Sequence, residues 1–233
     1  MTYDVAVFGA HPDDAEMGMG GTIAQLTQSG HSVIVVSLTQ GECGTHGSPE
    51  ERRTEAARAA EILGCEHRVL DLPDSRLVAD VATRERLMVL VRELKPRLVF
   101  APYHSNSLGH HDGAAHVDHQ ATGAIVRDAV RLARVRGVAR EAPAHDVQRL
   151  LFYMVPRNRF PTLVVDVSEQ FDVLVAAIRA YASQMAIERR GTAILDILES
   201  YRHWYGIAAG CRFAEPFLCE DALSLDADTL FHI

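Results

Sequence analysis

The sequence predicts an α/β fold in three layers, with a mostly parallel central sheet and helices on both faces. Three observations predict it. Short β-branched runs alternate with helical stretches through the first 135 residues, so successive strands must be joined by crossover helices. The run 33–36 is apolar at every position, the pattern of a strand buried on both faces. The first run, 5–8, stops at Gly9 and passes at once into His11-Pro12-Asp13-Asp14, and an open parallel sheet holds its ligands at the carboxyl ends of its strands. Together these describe a Rossmann-like architecture. No linker, repeat or low-complexity tract divides the chain, so residues 1–233 are read as one domain.

The strand 5–8 leads to a helix expected over 17–29. Gly18, Gly20 and Gly21 weaken its start but allow its backbone to lie close to a neighbour. Their spacing is not GxGxxG, so a dinucleotide fingerprint is absent. Residues 31–38 form the second strand, and 39–49, rich in glycine and polar groups, a loop. Dense in Ala, Arg and Glu, 50–63 is a helix closed by Gly64. A short third strand, 68–72, ends in Pro73-Asp74; 83–94 is a helix stopped before Pro96, and 98–101 the fourth strand. A long polar segment runs from there to His119, after which 120–135 is helical. Strand-like runs follow at 150–155 and 163–167, helices at 169–183 and 192–206, then a short tail.

Composition narrows the function. With 48% hydrophobic and 23% charged residues the chain has the make-up of a globular protein. A formal charge of −8 argues against a nucleic-acid binder, which would need a basic face. No apolar run approaches the roughly 20 residues of a membrane span, and the first residues lack the basic region of a secretory leader. The four cysteines show no CxxC spacing and do not read as a disulfide framework, so a reducing cytoplasm is expected.

The chemistry-bearing residues fall into two clusters. Pro12 turns the chain between His11 and the aspartates, so that His11 and Asp14 can converge on one cation while Asp13 stays free for acid–base work. A capping turn would use the same residue types. The second cluster, His116-Val117-Asp118-His119, follows the fourth strand and hence lies on the same rim of the sheet. Two histidines and a carboxylate there, with one histidine and two carboxylates from the first loop, exceed what capping explains. Three protein ligands with an open position make the catalytic zinc pattern.

The motifs AHPDDAE, Thr39-Gln40-Gly41-Glu42 and HxDH resemble the PIG-L/LmbE family of zinc-dependent de-N-acetylases. Framework stretches (LPDSRL, and the residues around Tyr153, Tyr181 and Tyr205) resemble its bacillithiol-pathway branch, which deacetylates N-acetylglucosaminyl-malate. The resemblance implies one zinc ion (Zn2+) per chain held by His11, Asp14 and His119, with Asp13 as general base. It implies that His116 stabilises the tetrahedral intermediate or protonates the leaving amine, with Asp118 orienting and charging it, and that Arg53 engages substrate. It implies a small N-acetylated sugar conjugate as the partner, no nucleic acid or membrane, and a homo-oligomer, by resemblance a hexamer.

Glu42 reads equally as a carboxylate near the metal or as a loop carboxylate, and a solvated helix face accounts for Arg53 nearly as well as a substrate contact. Two departures from the family pattern stand out. Val117 replaces its usual proline, and the stretch before HxDH carries extra residues with His110, His111 and Asp112, read as a lid. Tyr153 is expected to face the core with its hydroxyl at the rim, Tyr201, Trp204 and Tyr205 to pack a helix, and His31, His67 and His203 to lie on the surface. Two rival readings remain: a deacetylase of another glucosaminyl conjugate, such as an inositol or an antibiotic sugar, and a non-catalytic metal- or sugar-binding protein. A free Asp13 speaks against the second, since a binder needs no carboxylate beside its ligands.

Overall fold

The computed structural model describes residues 2–106, 116–139, 142–156, 158–224, 226 and 228. The lid assigned to His110, His111 and Asp112 lies outside them. The elements run β1 (Val5–Gly9), α1 (Asp14–Gln28), β2 (Val33–Ser37), α2 (Pro49–Leu63), β3 (Glu66–Val69), α3 (Val81–Leu94), β4 (Leu98–Pro102), α4 (Val117–Ala133), β5 (Arg149–Tyr153), β6 (Leu163–Asp166) and α5 (Phe171–Arg179). A two-residue hairpin, β7 (Glu188–Arg189) with β8 (Thr192–Ala193), precedes α6 (Ile194–Ala209) and β9 (Ala214–Cys219).

Seven strands form one sheet in the order β3-β2-β1-β4-β5-β9-β6. β3 to β5 are parallel, and β9 pairs antiparallel with both β5 and β6. This is the expected mostly parallel three-layer architecture. The alternation of β1 shows why both faces must be covered. Ala6 and Phe8 enter one core with Leu87, Met88 and Val91 of α3 and Ile125, Val126 and Ala129 of α4. Val5 and Val7 enter the other, with Ala15, Met19 and Ile23 of α1 and Ala56, Ala59 and Leu63 of α2. Strand order reverses between β1 and β4, and a crevice at such a switch point is where open α/β sheets bind their ligands.

Several elements differ from expectation, four of them for reasons the structure shows. α1 begins three residues early, at Asp14, because the loop's turn feeds straight into it. β3 is shifted to Glu66–Val69; as an edge strand it exposes Glu66 and Arg68, so polar residues occupy its first positions and the apolar run that marks it in the sequence only begins at its last paired residue, Val69. The tail contains β9, whose apolar pattern is interrupted by Glu215 and Pro216. The stretch 169–183 is split into α5 and a 3-10 turn, Ala182–Ala186.

α2 opens with Pro49 in a reciprocal cap between Ser48 and Glu51 and closes at Gly64 with φ 70°. Gly18 lets α1 lie against the ring of Tyr153, since a Cβ there would come within 2.4 Å of it. Tyr153 is buried in the core, and its hydroxyl donates to Phe8 O at 2.8 Å. Of the α6 aromatics, Tyr205 is buried but Trp204 is 70% exposed, so Trp204 does not pack within the chain as expected. No helix among the described residues is long and apolar enough to cross a membrane.

Candidate metal centre and active site

The loop after β1 and the start of α4 meet over the switch point. Asp14 Oδ2 accepts from the backbone N–H groups of Ala10 and His11, at 2.8 and 2.9 Å, so its carboxylate is fixed by the turn that Pro12 makes. Its Oδ1 lies 2.9 Å from His119 Nε2, and its Oδ2 lies 3.5 Å from His11 Nδ1. The rings of His11, His116 and His119 stand 5.0 to 5.4 Å apart, and one nitrogen of each lies within 4.8 Å of the others. His119 falls in the first turn of α4, as expected, and His116 precedes that helix and caps it, its Nδ1 accepting from Asp118 N at 3.2 Å.

His11 is held from behind. Its Nε2 lies 3.0 Å from Asp74 Oδ1 and 3.4 Å from Asp118 Oδ2, which leaves Nδ1 facing Asp14. Burial alone would lower its pKa, but the Asp14 charge and the hydrogen bonds to Asp118, Asp14 and Asp74 push it up to about 12. Burial would raise Asp14, yet the imidazoles of His119 and His11 hold it well below the usual carboxylate range. Two imidazoles and a carboxylate converging in a buried site, one ring backed by carboxylates, form a donor set that suits a divalent cation. Among the described residues, the groups whose donor atoms all lie within 4.8 Å of one another are His11, His116 and His119, and His11, Asp74 and Asp118.

Asp13 stands beside this cluster without joining it. It is buried at φ 125°, and its Oδ2 accepts from Arg52 Nη2 at 2.9 Å, while the same Nη2 donates to Pro12 O. Burial pushes its carboxyl up to about 7, against the pull of the Arg52 guanidinium. A base poised near neutrality is suited to taking a proton from water.

One expected partnership does not form. Asp118 does not turn its carboxylate to His116. It accepts instead from the N–H groups of Ser75 and Leu77, at 2.6 and 3.3 Å, beside its contact with His11. His116 is lowered, by burial and then by the charges of His119 and His11, which together outweigh the upward pull of Asp118 and Asp14. Arg53 is exposed on α2 and donates to Gln40 Oε1 at 2.7 Å, whereas Arg52 turns inward to the site. Glu42 is a loop carboxylate: it accepts from Asp74 N at 2.8 Å and Gln40 N at 3.2 Å, and so ties the Thr39–Glu42 motif to Asp74. In that motif Thr39 Oγ1 donates to Ala10 O at 2.9 Å. Gly41, at φ 69°, passes over Arg52, whose guanidinium would sit 2.2 Å from a Cβ there.

Arg52 and Asp74 were not singled out from sequence. The signal for Arg52 was present, since helix periodicity puts it on one face with Ala56, Ala59 and Leu63, all buried.

The family model described as PIG-L, GlcNAc-PI de-N-acetylase, matches residues 6–130. Diacetylchitobiose deacetylase of Thermococcus kodakarensis is 30% identical over 222 residues, 88% of this chain and 78% of that one. A probable N-acetyl-alpha-D-glucosaminyl L-malate deacetylase 2 of Bacillus cereus is 27% identical, over 88% of this chain and 98% of its own. Among solved structures, a conserved protein of Thermus thermophilus superposes with a TM-score of 0.85 at 34% identity, covering 97% and 98% of the two chains. The 4-carboxy-2-hydroxymuconate hydratase of Pseudomonas putida shares the fold, with a TM-score of 0.81 at 21% identity over 97% and 99% of the chains, so fold alone does not specify a reaction.

Proposed function

This chain belongs to the PIG-L family of de-N-acetylases, and on that premise we propose that it is a zinc-dependent hydrolase removing the acetyl group from an N-acetylglucosaminyl conjugate. The observation that carries the reading is the carboxylate of Asp13, free of the His11–Asp14–His119 cluster, buried beside it and paired with Arg52. A zinc ion bound by those three residues would polarise the amide carbonyl and lower the pKa of a water.

The chain's own groups supply the proton transfers. Asp13 takes a proton from the attacking water, and Arg52 keeps that carboxyl ionised often enough to do so. The water oxygen bonds to the acetyl carbon, the C–N bond breaks, and the amine leaves with a proton. The proton that Asp13 has taken passes to the leaving amine, which restores the base. His116, accepting at Nδ1 from the helix backbone, carries its proton on Nε2 and donates a hydrogen bond to the acetyl oxygen as negative charge builds there. Asp118 works at one remove, by orienting His11 and fixing the backbone at residues 75–77.

For the aglycone we read L-malate, supported by the similarity to the Bacillus cereus enzyme and by Arg53, whose exposed guanidinium offers a fork to a carboxylate. Self-association belongs to the same reading: α6 leaves Trp204 70% and Ile207 65% exposed one turn apart, an apolar face suited to a second copy.

Acetate release, followed by mass spectrometry on zinc-loaded protein, tests all of this. The malate conjugate should be turned over faster than diacetylchitobiose, the inositol conjugate or free N-acetylglucosamine. Asp13→Asn should keep its zinc by metal analysis and lose roughly 10²–10⁴ in rate. Faster turnover of another conjugate removes malate as the aglycone, and no acetate from any of them removes the deacetylase reading.

A further inference from the structure

Beneath the metal loop lies a second buried polar group, on β2, β3 and α1. The side chain of His67 is 3% exposed, contrary to its expected surface position, and its Nε2 lies 2.8 Å from Ser37 Oγ. Ser37 Oγ in turn donates to the backbone carbonyl of His11 at 3.2 Å. A hydroxyl has one proton to give. Because Ser37 gives it to His11, Ser37 accepts from His67, and the imidazole carries its proton on Nε2.

The other side of the ring is poorly served. Nδ1 faces Glu16 Oε1 at 3.8 Å, beyond hydrogen-bond reach, while that oxygen accepts from Tyr181 at 3.0 Å. Nδ1 of His67 and Oε2 of Glu16 are buried without a hydrogen-bond partner among the described residues. Each such atom costs about 1–3 kcal/mol, and an apolar side chain at position 67 would avoid part of that. The well-placed contact of the ring is the one on its Nε2 side, which points through Ser37 to the metal loop.

We infer that His67 is a positioning residue for the metal centre: its Nε2–H fixes the Ser37 hydroxyl, which holds the His11 carbonyl and so sets the direction of the His11 imidazole. The inference rests on reading His11 as a metal ligand. It concerns affinity for the cation and makes no assumption about the substrate.

The test is the dissociation constant for zinc, measured by competition with a chromophoric chelator on the full chain, alongside thermal unfolding of the metal-free protein. Ser37→Ala and His67→Leu should each weaken zinc binding on the order of tenfold, the lower end of what outer-shell partners contribute. His67→Gln presents an amide N–H at the same reach and should stay within about threefold of wild type. Should His67→Leu fail to fold, Ser37→Ala removes only a hydroxyl and breaks the same link. Wild-type-like zinc binding in a folded Ser37→Ala variant would overturn the inference. A His67→Gln loss as deep as that of Leu would also overturn it, because ring packing rather than the donor would then matter. A wild-type chain that binds no zinc stoichiometrically fails at the ligand assignment itself, which the other two results leave standing.

Discussion

Asp13 occupies φ 125°, where side chains other than glycine are rarely found, and its neighbours hold it there. Strain of this kind costs about 1–3 kcal/mol and persists where the surroundings over-determine it. Here the determinant is Arg52, which bonds both the Asp13 carboxylate and Pro12 O. The same guanidinium pulls the Asp13 pKa down against burial. Removing it should therefore raise that pKa further, and the base would ionise only at higher pH. In an Arg52→Met variant the acid limb of kcat/KM should move to higher pH, with a rate loss of tenfold or more at pH 6 that shrinks by pH 8. Arg53→Met should leave that limb where it is. An unmoved limb in Arg52→Met would separate the arginine from the base. The motifs made proximity legible in the sequence, since His11, Asp14 and His119 meet as expected. They did not make orientation legible, since Asp118 of the HxDH motif turns to His11 and the backbone of residues 75 and 77 rather than to His116. The choice between two adjacent arginines was not legible either, because it depends on helix phase, and charged neighbours (Glu50, Glu51, Glu55) hid a phase that the alanines disclose.

The first helix shows the same limit for whole elements. Met19 sits at φ −153°, so α1 is two helical pieces joined at a kink. The break frees backbone groups that need partners. Glu215, from β9, accepts from the N–H groups of Gly21 and Thr22 at 3.1 and 2.7 Å and from the Thr22 hydroxyl at 2.7 Å. Arg202, from α6, donates to Met17 O at 2.8 Å and binds Glu215 at 2.7 Å. Both side chains are fully buried. The pair thus caps the kink from two later elements, and the short first piece is free to carry Asp14 at the angle the site requires. A buried pair loses far more when broken than it contributes when intact. Glu215→Gln should lower the unfolding free energy by about 3–5 kcal/mol in urea, and a cost below about 1 kcal/mol would show the kink to be stable without its cap. This arrangement also explains why β9 was unreadable. A glutamate followed by proline looks like a loop; what makes it a strand is antiparallel pairing with β5 and β6, and what places a carboxylate in it is α1, 194 residues before Glu215 at Gly21.

At the scale of the whole molecule, the switch point and the two-sided burial of β1 follow from a pattern spread over many residues, and that is why the sheet was legible while its antiparallel end was not. The same layered packing buries two titratable groups from different elements side by side, with opposite consequences for stability. Burial lowers His67 from 6.5 to about 4. The unfolded chain therefore takes up a proton near 6.5 and the folded one does not, so this stability is present above 6.5 and is lost as pH falls to 4. Burial raises Glu16 from 4.5 to about 7. The folded chain takes up that proton first, so this stability is present below 4.5 and is lost as pH rises to 7. Each contribution spans about 3 kcal/mol, and between pH 4.5 and 6.5 the two slopes oppose and largely cancel. Replacing one group exposes the other. Relative to wild type, metal-free His67→Gln should lose stability as pH rises from 4.5 to 6.5, because the histidine's rising contribution is gone and that of Glu16 remains. Glu16→Gln should gain over the same interval. Urea unfolding at three pH values, taken as variant minus wild type, removes the background of every other group. Differences that stay flat with pH in both variants, or that slope in the same direction, would mean that the two side chains are not held uncharged together in the folded core.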